Sequence, residues 1–114
     1  MSYIENDKKI TKDLYDFMCK KEKAEPVKLT FKRLGNASGC CSYRQSRFSK
    51  EPIEIIINLE TGSIGAAYVL IHEFAHKVLI RKNGDATHGA NFKREVKRLE
   101  GLYANCLIAS KLTF

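Results

Sequence analysis

The sequence predicts an α+β fold in which a small, mainly antiparallel sheet packs against one buried helix. Three observations lead there. The run from Ile64 to Ile80 is apolar around most of a helical circumference, the pattern of a helix enclosed by its neighbours. Residues 53–59 hold four isoleucines in five positions, a β-branched run suited to a strand packed on both faces. Helical periodicity recurs on either side, at 7–23 and from Ala90 onward. A chain of 114 residues suits a single domain, 1–114, with one modest core.

The first element is a helix over 7–23, with Ile10, Leu14, Tyr15, Phe17 and Met18 near helical spacing. Asp7 or Thr11 is placed to cap its start, and Pro26 marks its end. Val27 to Lys32 alternates apolar and polar side chains, as a strand with one buried face does. A turn follows over 34–39, with Gly35, Asn36, Ser38 and Gly39. Cys40 to Phe48 reads as a second strand and Ser49 to Pro52 as a connection. The isoleucine-rich strand is expected at the centre of the sheet. Ser63 is a suitable N-cap for the buried helix, which Lys82-Asn83-Gly84 ends. Lys77, Arg81 and Lys82 suit its negative C-terminal pole. After a polar loop over 85–90, a last helix carries Phe92, Val96 and Leu99 on one face and Lys93, Arg94, Lys97 and Arg98 on the other. Residues 102–112 can continue it.

Twenty Lys and Arg against 13 Asp and Glu give a formal charge of +7. The excess is uneven. Residues 26–50 carry six basic side chains and no acid, and residues 77–100 carry seven basic against three acidic. Such segments are compatible with contact to DNA and equally with a solvated basic surface. His72, Glu73, His76 and Lys77 interrupt the apolar run, which excludes it as a membrane span. The N-terminus carries no signal-peptide pattern, so a cytoplasmic location is the expectation. Cys19, Cys40, Cys41 and Cys106 match no zinc-knuckle or disulfide spacing and are expected as free thiols.

The chemistry concentrates at His72-Glu73-Phe74-Ala75-His76. On a helix the two histidines stand one turn apart on one face, where two imidazoles can hold one Zn2+. Buried polar groups need such a reason, because they are costly unless paired or metal-bound. Glu73 follows the first ligand and is placed to act as general base on an attacking water. Catalytic zinc ordinarily takes three protein ligands. His88, the one remaining histidine, is the best third ligand. Glu95 and, less well placed, Glu100 are the alternatives; Asp85 is a weaker candidate ligand, placed instead to orient a histidine from behind. Tyr43, Tyr68, Tyr103, Arg44 and Asn91 are the available transition-state donors, and none stands out.

The segment His72-Glu73-Phe74-Ala75-His76, followed by Gly84-Asp85-Ala86-Thr87-His88-Gly89-Ala90-Asn91-Phe92, resembles the SprT-like metalloprotease domain, whose eukaryotic relative is Spartan. The specific likeness covers 72–92, and a looser one covers roughly 7–100. It implies a minimal zincin fold with an HExxH active-site helix. It also implies His72, His76 and His88 as metal ligands, Glu73 as the catalytic glutamate, and Gly89 and Phe92 as the residues after the third ligand. The implied activity is cleavage of protein or peptide substrates, DNA-associated proteins among them. Many family members carry a cysteine-rich zinc segment after this domain; here only Cys106 lies in the corresponding part of the sequence. The alternative reading is a zinc-stabilised DNA- or protein-binding module with little turnover.

Overall fold

The computed structural model describes the backbone of residues 2–33, 36–45, 50–58 and 62–112, and the side chains of 8–33, 36–45, 50–58 and 67–103. The order of elements is α1 (Ser2–Glu22), β1 (Lys28–Lys32), β2 (Gly39–Gln45), β3 (Lys50–Asn58), α2 (Gly62–Asn83) and α3 (Ala90–Leu112). The fold is α+β, with three helices and one three-stranded sheet among the described residues. No described helix is long and apolar enough to cross a membrane.

Helix α1 buries Thr11, Leu14, Tyr15, Met18 and Cys19, a stripe at helical spacing. Its solvent side carries Lys9–Asp13 and Lys12–Asp16 ion pairs one turn apart. The helix starts earlier than the sequence suggests. Thr11 is therefore buried mid-helix rather than a cap, and the side chain of Asp7 lies outside the described residues. The end is a Schellman arrangement: Ala24 N donates to the Cys19 carbonyl at 2.9 Å while Lys23 takes φ 53°. The hydroxyl of Tyr15 then accepts from Val27 N at 2.7 Å and faces the Val27 carbonyl at 3.2 Å, which docks the start of β1 on α1.

The sheet is mixed, where the sequence suggests a mainly antiparallel one. Its order is β1-β3-β2: β3 pairs in parallel with β1 (Lys28 opposite Glu54, Lys32 opposite Asn58) and antiparallel with β2 (Gly39 opposite Ile57). Consecutive strands β1 and β2 do not form a hairpin, because the isoleucine strand enters between them. That strand is central, as its composition predicts, with Ile55, Ile56 and Ile57 all buried. It also begins earlier than expected: Lys50 to Pro52 are strand rather than connection, and Ser49 lies outside the described residues. Pro52 is tolerated because the register slips there. Ser42 pairs with Glu54 and Tyr43 with Pro52, leaving Ile53 bulged and exposed. Strand β2 is described to Gln45, so its expected continuation to Phe48 falls outside the described residues.

Helix α2 is the hub. It packs on β2 and β3 and is flanked by α1 and α3. Ala67, Leu70, Ile71, Phe74, Ala75 and Leu79 meet Ile55 and Ile57 of the sheet and Tyr15 and Met18 of α1 in one core. The Ser63 cap assignment falls on a side chain outside the described set. Gly84, at φ 69°, ends α2 in a left-handed conformation that favours glycine, and Lys50 Nζ donates to its carbonyl at 3.1 Å. Lys77 departs from expectation: it is 1% exposed rather than a solvated C-terminal cation. Its ammonium lies 5.2 Å from the Phe74 ring centroid, and burial pulls its pKa down. Helix α3 lays Phe92, Leu99 and Tyr103 against this core. Arg98 bridges Glu22 and Glu95, and Tyr103 donates to Glu22, tying α3 to the end of α1.

Candidate metal centre

Within the turn of α2 from His72 to His76, Phe74 and Ala75 enter the core, while His72 and His76 meet His88 of the loop between α2 and α3. His72 and His76 stand with ring centroids 5.0 Å apart, as the one-turn spacing dictates. His88 comes in from the loop. Asp85 folds that loop by accepting from Thr87 N at 2.9 Å and Thr87 Oγ1 at 2.6 Å, a local turn of Asx type. These bonds hold the Asp85 carboxyl below its ordinary range. Asp85 thus shapes the path to His88 instead of bonding a histidine. Lys93 N then donates to the Gly89 carbonyl at 3.0 Å, opening α3 directly after the histidine.

One ring nitrogen from each of His72, His76 and His88 falls within 4.8 Å of the others. His76 Nε2 and His88 Nε2 are 3.1 Å apart. Two imidazole nitrogens on a tetrahedral zinc, at about 2.0–2.1 Å each, sit roughly 3.3 Å from one another. The donor set and its spacing therefore fit such an ion, although nitrogen ligands of this kind do not by themselves select one metal. Burial and the neighbouring histidines depress His72, and they bring His76 to about 4. Both rings are neutral near pH 7, the form in which imidazole binds metals. Of the alternatives, Glu95 accepts from Arg98 at 2.7 Å and Glu100 lies outside the histidine group.

The family resemblance marks Phe92 only as a residue after the third ligand, and periodicity marks it only as an apolar position of α3. Its packing role is seen in the fold, where its ring lies 4.8 Å from His72, 4.3 Å from His76 and 4.9 Å from His88. It stacks on His76 and meets the other two edge to face, so one buried phenyl sets the orientation of all three imidazoles.

Glu73 is 5% exposed, and burial pushes its carboxyl up to about 7. It lines two cavities that meet at Gly39, His72 and Glu73. The smaller, about 240 Å³, runs past Cys40, Tyr43, His76 and His88. The larger, about 550 Å³, runs between the start of β2 and the α2–α3 seam, past Tyr68, Val69, Val96 and Glu100. Together they form a groove across the histidine cluster. Gly39 is required where they join. A Cβ there would lie 2.5 Å from Val69 Cγ1, 2.8 Å from the Ile56 carbonyl oxygen and 3.4 Å from Glu73 Oε2. Asn58 holds this corner by donating from its backbone to the Ser38 carbonyl at 2.9 Å and from Nδ2 to the Ala37 carbonyl at 2.8 Å.

Tyr43 and Tyr68 reach the groove. Tyr103 is buried against Glu22, Asn91 accepts from Arg94, and Arg44 is exposed on β2. Cys19, Cys40 and Cys41 are free thiols, and Cys106 lies outside the described side chains. Cys41 is no nucleophile at neutral pH, because burial pushes its thiol up to about 12.

The model of the SprT-like family matches residues 8–111. Neither a curated protein nor a solved structure gives a significant match.

Proposed function

The chain belongs to the SprT-like family, and from that premise we propose that it is a zinc-dependent metalloendopeptidase acting on protein substrates, DNA-associated proteins among them. One observation carries the proposal: a buried carboxylate, Glu73, adjoins three convergent imidazoles at the floor of a groove open to solvent. A site that only stabilised the fold has no need of a base beside it.

In this reading His72, His76 and His88 hold the ion. When bound, zinc supplies a Lewis acid that polarises a carbonyl oxygen and makes water more acidic. Glu73 takes the proton from the water that attacks the carbonyl carbon and returns it to the leaving nitrogen. Burial of Glu73 suits both halves of that task, since a carboxyl raised toward neutrality accepts and releases a proton near working pH. Phe92 keeps the imidazoles from swinging, and Gly39 lets the β2 corner approach Glu73 closely. The exposed Lys93, Arg94 and Lys97 along α3 support contact with a polyanion such as DNA, which would weaken steeply with salt.

Glu73→Gln separates this reading from a zinc-stabilised binding module. With zinc bound, an unfolded basic protein should be cleaved by the native chain, and the variant should lose at least ~10²-fold in rate while keeping its metal and fold. Equal cleavage by both chains would rule the mechanism out.

A further inference from the structure

The larger cavity has a chemistry that hydrolysis alone does not explain. Tyr68 and Val69 of α2 and Val96 of α3 make apolar walls, and Glu100 lies one turn beyond Val96 on the same face of α3. Glu100 is half-buried. Among the described residues no cation and no hydrogen-bond donor engages it, whereas Glu95 and Glu22 are both held by Arg98. Among the described residues no Lys or Arg lines the cavity, although α3 is rich in both. A carboxylate without a partner among the described residues, on a helix rich in Lys and Arg and one turn beyond the apolar wall at Val96, is the complement of a long aliphatic stem tipped with a positive charge.

We infer that this cavity is a subsite for a lysine or arginine side chain of the substrate, with Glu100 as the residue that determines its specificity. The inference rests on the endopeptidase reading and names a substrate class for it. The stem lies along Tyr68, Val69 and Val96, and the ammonium or guanidinium meets the Glu100 carboxylate. The spacing is suitable. Phe92, under the histidines, and Glu100 are separated by about 12 Å of helical rise, a span divided between the substrate side chain and that of Glu100. Because Glu100 stands away from the three histidines, it acts on side-chain selection and takes no part in the hydrolytic step.

The test uses unstructured peptides of uncharged sequence with Lys, norleucine or Glu scanned along the chain. Binding is measured by fluorescence anisotropy to the zinc-loaded Glu73→Gln chain, which keeps the peptides intact, and cleavage is measured with the native chain. At one position, Lys should bind about tenfold tighter than norleucine, as expected for a charge-assisted contact. Glu100→Gln should erase that ratio, and Glu100→Lys should make Glu the preferred residue. Thermal melts check that both variants fold. Equal binding of the three peptides, no measurable binding, or a Lys preference that survives Glu100→Gln each overturns the subsite. A Glu100-dependent Lys preference without cleavage by the native chain would sustain the subsite and contradict the endopeptidase reading.

Discussion

Two neighbouring residues of α2, His76 and Lys77, are both buried, and both have pKa values pulled down by their surroundings. As consecutive residues they project about 100° apart around the helix, and they meet different neighbours. His76 meets His72, His88 and Phe92, and its Nε2 points at the same spot as that of His88. Lys77 meets the Phe74 ring and the neighbourhood of Cys19 and Cys41, with Glu25 acting on it only through space and no acid bonded to it among the described residues. Burial and a displaced pKa are common to both, so neither marks a site. Convergence of several donors on one point, beside a groove, is what distinguishes the histidine side.

That contrast can be tested by changing each side alone. The largest structural effect is expected from Gly39→Ala. The β2 corner meets Val69 and a carbonyl oxygen within 3 Å of the added methyl, so a shift must follow. Overpacking of this kind costs about 1–3 kcal/mol. The shift also moves the wall beside Glu73, so denaturant melts and cleavage rates should fall together; an unchanged rate would mean that the corner does not position Glu73.

On the Lys77 side, Lys77→Met replaces a buried charge by an apolar chain of similar length. It should raise stability by about 1 kcal/mol or more, as removal of poorly compensated buried charge generally does, and leave the groove unaltered. A loss of stability in chemical denaturation would mean that the ammonium has stronger partners than the Phe74 ring.

A smaller effect is expected at the latch between α1 and α3. Arg98, with Tyr103, holds the Glu22 carboxyl below its ordinary value. A carboxylate whose folded pKa is depressed stabilises the fold above its unfolded pKa, and that contribution disappears as pH falls through the folded value. Glu22→Gln should therefore cost up to ~1 kcal/mol near pH 7, since Arg98 is partly solvent-screened. The difference between native and variant should close on acidification below the ordinary carboxylate range. A gap that persists in acid would assign the latch to packing instead.

The histidine side was the more legible of the two because its information is local. The spacing of His72 and His76 fixes their shared face on any helix, and His88 follows within a loop too short to carry it far away. The isoleucine-rich β3 was legible as the central strand for a similar reason, since a run apolar on both faces must be covered on both. What remained hidden depends on which elements meet. Nothing local to β1 reveals that β3 will pair with it in parallel and displace β2. Phe92 has the periodicity of any core residue until α3 is laid across the three imidazoles. Lys77 carries the composition of a helix end, and only the packing of α1 and β2 over that turn buries it.

The most direct measurement is a zinc titration of the metal-free chain, repeated with His88→Ala and Lys77→Met. The account predicts one ion per native chain, an affinity lowered more than about 100-fold by His88→Ala, beyond the loss typical of changes behind a ligand, and no change with Lys77→Met. Native-like affinity in His88→Ala would contradict it, because the three imidazoles would then not share one ion.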